Sequence, residues 1–398
     1  MRKFLVVLTL LAIGVVGFGQ VTITFWHAMT GALGEALTTL VQKFMAENPT
    51  IKVDLVYQGG YSALQQKLIA AVAAKEPPTL AQQYENWTTQ WLDALVDLDL
   101  FLPEVLINDI LPQFDQRFEG RLVTVPFNKS ILVLYYRTDF WPVPPKTWDE
   151  FLAMAKAVAK VEGGQLVQYG TAFRPANPEI FLTFLTQAGG SLLSDDWKTV
   201  TVNNEKGMEA AKFAAELSKY ALVQSGYISA ALAKGVPIGG WVDTSAGYTY
   251  NMSAAKTANI PLAVAPLPCY KNCASMIQGT NLAIFSVKQT KAQIEAAAKL
   301  IAFLLREDNT VYWAEKTGYL PVTAHGIHSK AWQAIMAKSE IARIGTQQLL
   351  AGGFGQLLHP NYMDMRSALI TYWEQLIKVQ DTPANIMNNL AAQLNILK

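Results

Sequence analysis

Histidines, cysteines, serines and carboxylates are where reaction chemistry would begin. The 398-residue chain has four histidines: His27, His325, His328 and His359. His325-x-x-His328 has a chelating spacing. Pro321 and Gly326 place it in a loop, however, and no acidic third ligand lies nearby in sequence, so no metal is expected. Cys269 and Cys273, in Pro268-Cys-Tyr-Lys-Asn-Cys, lack a third and fourth ligand at zinc spacing. In an exported chain they fit a disulfide that staples a surface loop. There is no Gly-x-Ser-x-Gly elbow, and Gly352-Gly-Phe-Gly355 lacks the Gly-Lys-Ser/Thr of a phosphate-binding loop. No cofactor is therefore expected. Carboxylates are numerous, and sequence cannot pair them across space, so a secreted hydrolase stands as the enzyme alternative.

A second set of residues suits binding. Trp26 and His27 follow the first expected strand, Tyr61 follows Gly59-Gly60, and Tyr84-Glu85 ends the third strand, with Trp87 just beyond. In α/β folds, ligands lie outside the carboxyl ends of parallel strands. Tyr, Ser, Glu and Trp gathered there would hold a polar ligand. The competing reading is that Trp26 and Trp87 are half-buried covers of the core.

The elements that must carry these residues are legible. Val21–Phe25 and Ile51–Tyr57 alternate apolar and polar residues like strands, and Thr79–Tyr84 reads as a short buried strand. Between them, Leu33, Leu37, Leu40, Val41, Phe44 and Met45 form a helical stripe closed by Asn48-Pro49, and Tyr61–Lys75 forms another helix. Strand, helix, strand, helix, strand predicts a parallel sheet flanked by helices. Leu122–Pro126 and Ile131–Tyr136 read as two extended halves joined through Phe127–Ser130. Thr147-Trp-Asp-Glu150 reads as a capping box opening a helix to about Lys160. Gln278–Val287 is a further strand and Gln293–Arg306 a helix. From Ala331 onward the chain is mostly helical, interrupted at Gly352-Gly-Phe-Gly355.

Composition excludes other classes. With 51% hydrophobic and 16% charged residues the chain is not disordered. A net charge of 32 − 31 = +1 without a basic run excludes a nucleic-acid partner. Arg2 and Lys3, the apolar run Phe4–Phe18 and the small residues around Gly19 read as a signal peptide over residues 1–19. No cysteine stands near the cleavage point to carry a lipid anchor. The expected product is an exported protein of the periplasm.

Several motifs together carry a resemblance over nearly the full mature length. These are Phe25-Trp-His-Ala-Met-Thr-Gly31, Tyr84-Glu85, Pro126-Phe-Asn-Lys-Ser130 followed by Val133-Leu-Tyr-Tyr136, Lys316-Thr-Gly-Tyr-Leu-Pro321 and Met363-Asp-Met-Arg366. The chain resembles the extracellular solute-binding proteins of ABC importers, and within them the glycerol-3-phosphate-binding group. The resemblance implies an α/β fold of two lobes, each a mixed or parallel sheet flanked by helices, that close on ligand about a hinge. Residues 20–128 with 281–320 would form lobe I, and 129–280 with 321–398 lobe II. The crossings would be Phe127–Ser130, Gln278–Thr280 and the turn at Tyr319-Leu-Pro321. It implies no enzyme activity, a monomer, and membrane subunits of a transporter as partner.

The resemblance also implies ligand contacts at Tyr61, Glu85, Ser130, Ser245, Gly279, Tyr319 and Arg366. In Trp241-Val-Asp-Thr-Ser-Ala246, either Asp243 or Ser245 takes the place of the group's serine. Trp241, like Trp26, His27 and Trp87, is a further cleft candidate. The group lines its cleft with tryptophans near the start of the second lobe. Here Thr171–Asn177 has none; Phe173 would substitute, and Arg174 adds a charge. An Arg fork matches phosphate oxygens, and a carboxylate accepts hydroxyl protons. Arg366 and Glu85 would thus select an anionic end and a polyol end, as in a phosphorylated polyol. A neutral oligosaccharide is the alternative ligand.

Overall fold

The computed structural model describes residues 20–398, so the expected signal segment lies outside the described residues. Among those described, no helix is long and apolar enough to cross a membrane. The chain opens with strand Val21–His27, helix Gly31–Glu47, strand Ile51–Tyr57, helix Tyr61–Ala73 and strand Leu80–Gln83. The first strand pairs in parallel with the second and third. Alternation turns Ile23 and Phe25 inward, and the helical stripe buries Leu37, Leu40, Val41 and Phe44 over the sheet. Each such side chain contributes roughly 1.5–3 kcal/mol on leaving water.

Where two extended halves were expected, one thirteen-residue strand runs unbroken from Val125 to Arg137. Phe127–Ser130 is fully within it. All but its last residue are buried, so the backbone there has to hydrogen-bond to neighbouring strands, and an irregular joint would leave it unpaired. Its antiparallel partner is Ser275–Ile284, which returns alongside it with a register shift between Thr280 and Asn281. These two strands tie everything together. The main sheet has eight strands in the order Leu262–Ala265, Val125–Arg137, Ser275–Ile284, Leu80–Gln83, Val21–His27, Ile51–Tyr57. Gly240–Thr244 pairs with the long strand and Gly353–Phe354 with the return strand. Leu320 donates its backbone N–H to the Lys129 carbonyl at 2.8 Å, a third connection beside the two strands.

Separate apolar cores lie along this sheet. One packs around Phe25, Phe44, Val133 and Trp313. Another lies under the helices Trp148–Val158, Glu179–Gln187, Glu205–Ser218, Tyr362–Ile377 and Pro383–Leu397, around Phe181, Phe184, Trp373 and Leu390. A smaller one joins Leu64, Trp87, Trp91 and Phe285. Thr147 caps its helix by accepting from the Glu150 N–H at 3.2 Å. The Glu150 carboxylate turns back to the Lys146 N–H rather than to Thr147, so the box is only half formed. Cys269 and Cys273 are joined by a disulfide.

Candidate functional site

A cleft of about 510 Å³ opens where the first-strand region, the two crossing strands and the segment 227–251 meet. Tyr61 and Tyr84 form one side, with ring centroids 4.9 Å apart. Tyr61 opens its helix after the N-cap Gly60, and Gly59 before it makes the turn with a φ of +98°. Tyr319 lies on the crossing turn, in parallel orientation to Trp313 with centroids 6.1 Å apart. Burial pushes the phenols of Tyr61, Tyr84 and Tyr319 above their ordinary pKa. All three remain protonated donors at neutral pH. Asn128 on the long strand organises them. Its amide donates to Tyr61 OH at 3.1 Å, while its oxygen accepts from Gln82 and from Thr280.

The floor is made by Ser130, Gln278 and Gly279. Ser130 Oγ lies 2.7 Å from Thr244 Oγ1. Gly279 has φ +111°, and a Cβ there would stand 1.8 Å from the Asn128 carbonyl oxygen. Only glycine lets the two crossing strands approach this closely. Gln278 Nε2 is buried without a hydrogen-bond partner among the described residues. The far wall carries Tyr227, Asp243, Tyr250 and Asn251. Burial raises the Asp243 pKa, opposed by the Thr244 N–H and the nearby Arg174 charge.

Of the residues picked from sequence, Tyr61, Ser130, Gly279, Tyr319 and Asp243 share this cleft. Ser245 does not line it: its Oγ is fully buried and accepts from the Ile131 N–H at 3.2 Å. At the position where Asp243 and Ser245 were alternatives, the carboxylate is thus the one at the surface of the cleft. Glu85 and Arg366 do not line the cleft, and each already has a partner. Glu85 pairs with Lys129, whose side chain is 1% exposed. Arg366 places both Nε and Nη2 2.7 Å from Glu179 Oε1. Burial lowers the Lys129 pKa, and Glu85 offsets it. Burial also works against the Arg366 charge, but Glu179 outweighs it and raises the pKa.

The additional cleft candidates serve as packing. Trp241 stacks on Tyr135 at 5.6 Å and is fully buried, because its strand is covered on both faces. Phe173 sets its edge on Trp373. Trp87 lies between Tyr84 and Trp91, bracing the tyrosine from behind. Trp26 is half-buried against the same small core. The His27 ring accepts from the Met29 N–H at 3.2 Å, and burial lowers its pKa to about 4. Sequence reading missed Tyr227, Tyr250 and Asn251. Their one signal was the pair of tyrosines placed at helix starts, Tyr227 before Ile228–Ala233 and Tyr250 in the first turn of Tyr248–Thr257. Among the described residues, no group of His, Cys, Asp and Glu could hold a metal ion. His325 instead meets Asp109 at 2.6 Å.

Separate cores joined by crossing strands, with a tyrosine-lined cleft at the joint, define a two-lobed α/β binding protein. The chain belongs to the bacterial extracellular solute-binding proteins, whose family profile matches residues 39–338. It is similar to the sn-glycerol-3-phosphate-binding periplasmic protein UgpB of Salmonella typhimurium, 27% identical over 83% of this chain and 80% of that protein. The UgpB of Escherichia coli K12 is 26% identical over the same shares. Among solved structures, the cyclic alpha-maltosyl-1,6-maltose binding protein of Arthrobacter globiformis superposes with a TM-score of 0.84 at 20% identity, covering 95% of this chain and 99% of that one. UgpB of Mycobacterium tuberculosis, in complex with glycerophosphocholine, superposes with a TM-score of 0.80 at 21% identity, covering 95% and 98%.

Proposed function

We propose that this chain captures a glycerol phosphate compound, sn-glycerol-3-phosphate or one of its diesters, and delivers it to the membrane subunits of an ABC importer. The protein acts as an exported monomer that closes on its ligand. The observation that carries the reading is the joint placement of Tyr61, Ser130, Gly279 and Tyr319 in one cleft, with the Arg366 charge near enough to act on Tyr84, another lining residue. Phenols, a hydroxyl and a backbone amide suit phosphate and glycerol oxygens. Ligand entry would draw the Arg366 guanidinium from Glu179 to the phosphate and the Glu85 carboxylate from Lys129 to the polyol. The similarity to proteins named for sn-glycerol-3-phosphate supports the same class.

One observation favours a second reading. Five tyrosines line a volume of about 510 Å³, ample for several sugar rings, and aromatic platforms suit neutral sugars. Calorimetric titration of residues 20–398 decides. Micromolar or tighter binding of sn-glycerol-3-phosphate (about −8 kcal/mol) with no heat from maltose supports the first reading. Heat from maltose with none from sn-glycerol-3-phosphate would replace it with an oligosaccharide.

A further inference from the structure

Arg174, outside the lining of the cleft, stands beside its far wall and does not pair with the carboxylate of that wall, Asp243. Arg174 follows directly on the short strand Thr171–Phe173, which lies beside Gly240–Thr244, the strand that carries Asp243. Its backbone is fixed: the Arg174 carbonyl accepts from Trp373 Nε1 at 3.0 Å and from the Asn177 N–H at 3.1 Å. Its guanidinium lies 4.2 Å from the centre of the Tyr227 ring, and Tyr227 is part of the cleft wall. Nε is buried with no hydrogen-bond partner, and no carboxylate of the described residues stands within ion-pair distance of this arginine. That contrasts with Arg366, whose fork Glu179 already occupies. Asp243, close enough to feel the Arg174 charge, takes only the adjacent Thr244 N–H at 2.8 Å among the backbone donors.

An arginine whose Nε is unmet and a carboxylate in the adjoining wall together suit a group bearing both an acceptor and a donor. A lone quaternary ammonium would meet Asp243 but would also bring a second cation against Arg174. An amino-acid-like head supplies a carboxylate for Arg174 and an ammonium for Asp243. The cleft is also larger than glycerol phosphate alone requires. From these observations we infer that Arg174, stacked on Tyr227 beside the wall that carries Asp243, sets ligand specificity at the far end of the cleft, favouring glycerophosphodiesters whose head group carries both a carboxylate and an ammonium over those ending in choline.

The inference rests on the glycerol phosphate reading, and the experiment separates the two. The full mature chain is titrated with sn-glycerol-3-phosphate, glycerophosphoserine and glycerophosphocholine, and so are Arg174→Gln and Asp243→Asn. Glycerophosphoserine is expected to bind about tenfold or more tighter than glycerophosphocholine, through a charge-assisted pair that choline cannot make. Arg174→Gln should remove that preference while leaving the Kd for sn-glycerol-3-phosphate within about twofold, since its effect is confined to the head group. Equal affinity of the unaltered chain for the two diesters overturns the inference alone. So does an Arg174→Gln variant that keeps the preference. If none of the three compounds binds, the glycerol phosphate reading falls and takes the inference with it.

Discussion

Replacing Glu85 with alanine would leave the Lys129 ammonium alone in a fully buried place, 1% exposed on the long strand. Breaking a buried pair from one side costs about 3–5 kcal/mol, because the remaining charge is neither hydrated nor compensated. Glu85→Ala should therefore lower the urea midpoint sharply, and Glu85→Gln combined with Lys129→Met should recover most of it; a single variant as stable as the parent would show that the pair does not hold the strand. Arg366→Ala is expected to cost on the order of 1.5–3 kcal/mol of affinity for sn-glycerol-3-phosphate, the range of a charge-assisted bond, read by calorimetry on protein whose circular dichroism is native. Arg366→Lys keeps the charge but not the fork and should fall between the two. His27 gives a pH dependence. Burial lowers its pKa from 6.5 to about 4, so the folded state binds fewer protons than the unfolded chain between those values. Stability is full above pH 6.5 and falls as pH drops towards 4. Urea midpoints at pH 7 and pH 5 should differ more in the parent than in His27→Gln, and identical differences would remove His27 as the source.

At the scale of elements, the crossing strands carry the tightest constraint. Gly279→Ala would place a methyl 1.8 Å from the Asn128 carbonyl oxygen at a φ of +111°. The strands would have to separate where Asn128 also holds Tyr61, so stability should fall by about 3 kcal/mol or more, and ligand affinity with it. Denaturant unfolding checks this, and a fully stable Gly279→Ala would mean that the crossing is pliant. The opening strands and helices were legible because their periodicity is local: Leu37, Leu40, Val41 and Phe44 define one face whatever surrounds them. The unbroken strand Val125–Arg137 was not legible as one element. Asn128, Lys129 and Ser130 look like a turn, and only partners distant in sequence (Thr280, Glu85 and Thr244) satisfy them inside a strand. The same limit applied to the site. Tyr61 stood out after Gly59-Gly60, while Ser130, Gly279 and Tyr319 were named only through the family resemblance; the four meet in one cleft. Nothing local, however, revealed that Glu179 would take the Arg366 fork, or that Tyr227 and Tyr250 would form the far wall.

Across the whole molecule, the segments 86–89 and 356–363 are clasped together. Asn86, beside Glu85, donates to Gln356 Oε1 at 2.6 Å, and Thr89 donates to the Pro360 carbonyl at 3.2 Å. Leu358 and Met363 pack on the core that contains Trp87 and Trp91. In the lobe division expected from sequence, every one of these contacts joins lobe I to lobe II, and none belongs to the crossing strands. In the proposed hinge closure they form only when the lobes are together, and so would bias the balance between open and closed forms. A ligand that binds the closed form has to supply whatever closing free energy the clasp does not. Asn86→Ala with Gln356→Ala removes a hydrogen bond worth about 0.5–1.5 kcal/mol and should weaken ligand binding about 2- to 12-fold while leaving the urea midpoint nearly unchanged. Solution X-ray scattering should show a larger radius of gyration for the ligand-free double variant than for the parent. Saturating ligand should bring the two back together, since the proposed bound state is closed in both. A double variant with parental affinity and scattering would mean that the crossing strands and the cleft residues alone set the closed form, and that the segment 356–363 merely rests on the turn it touches.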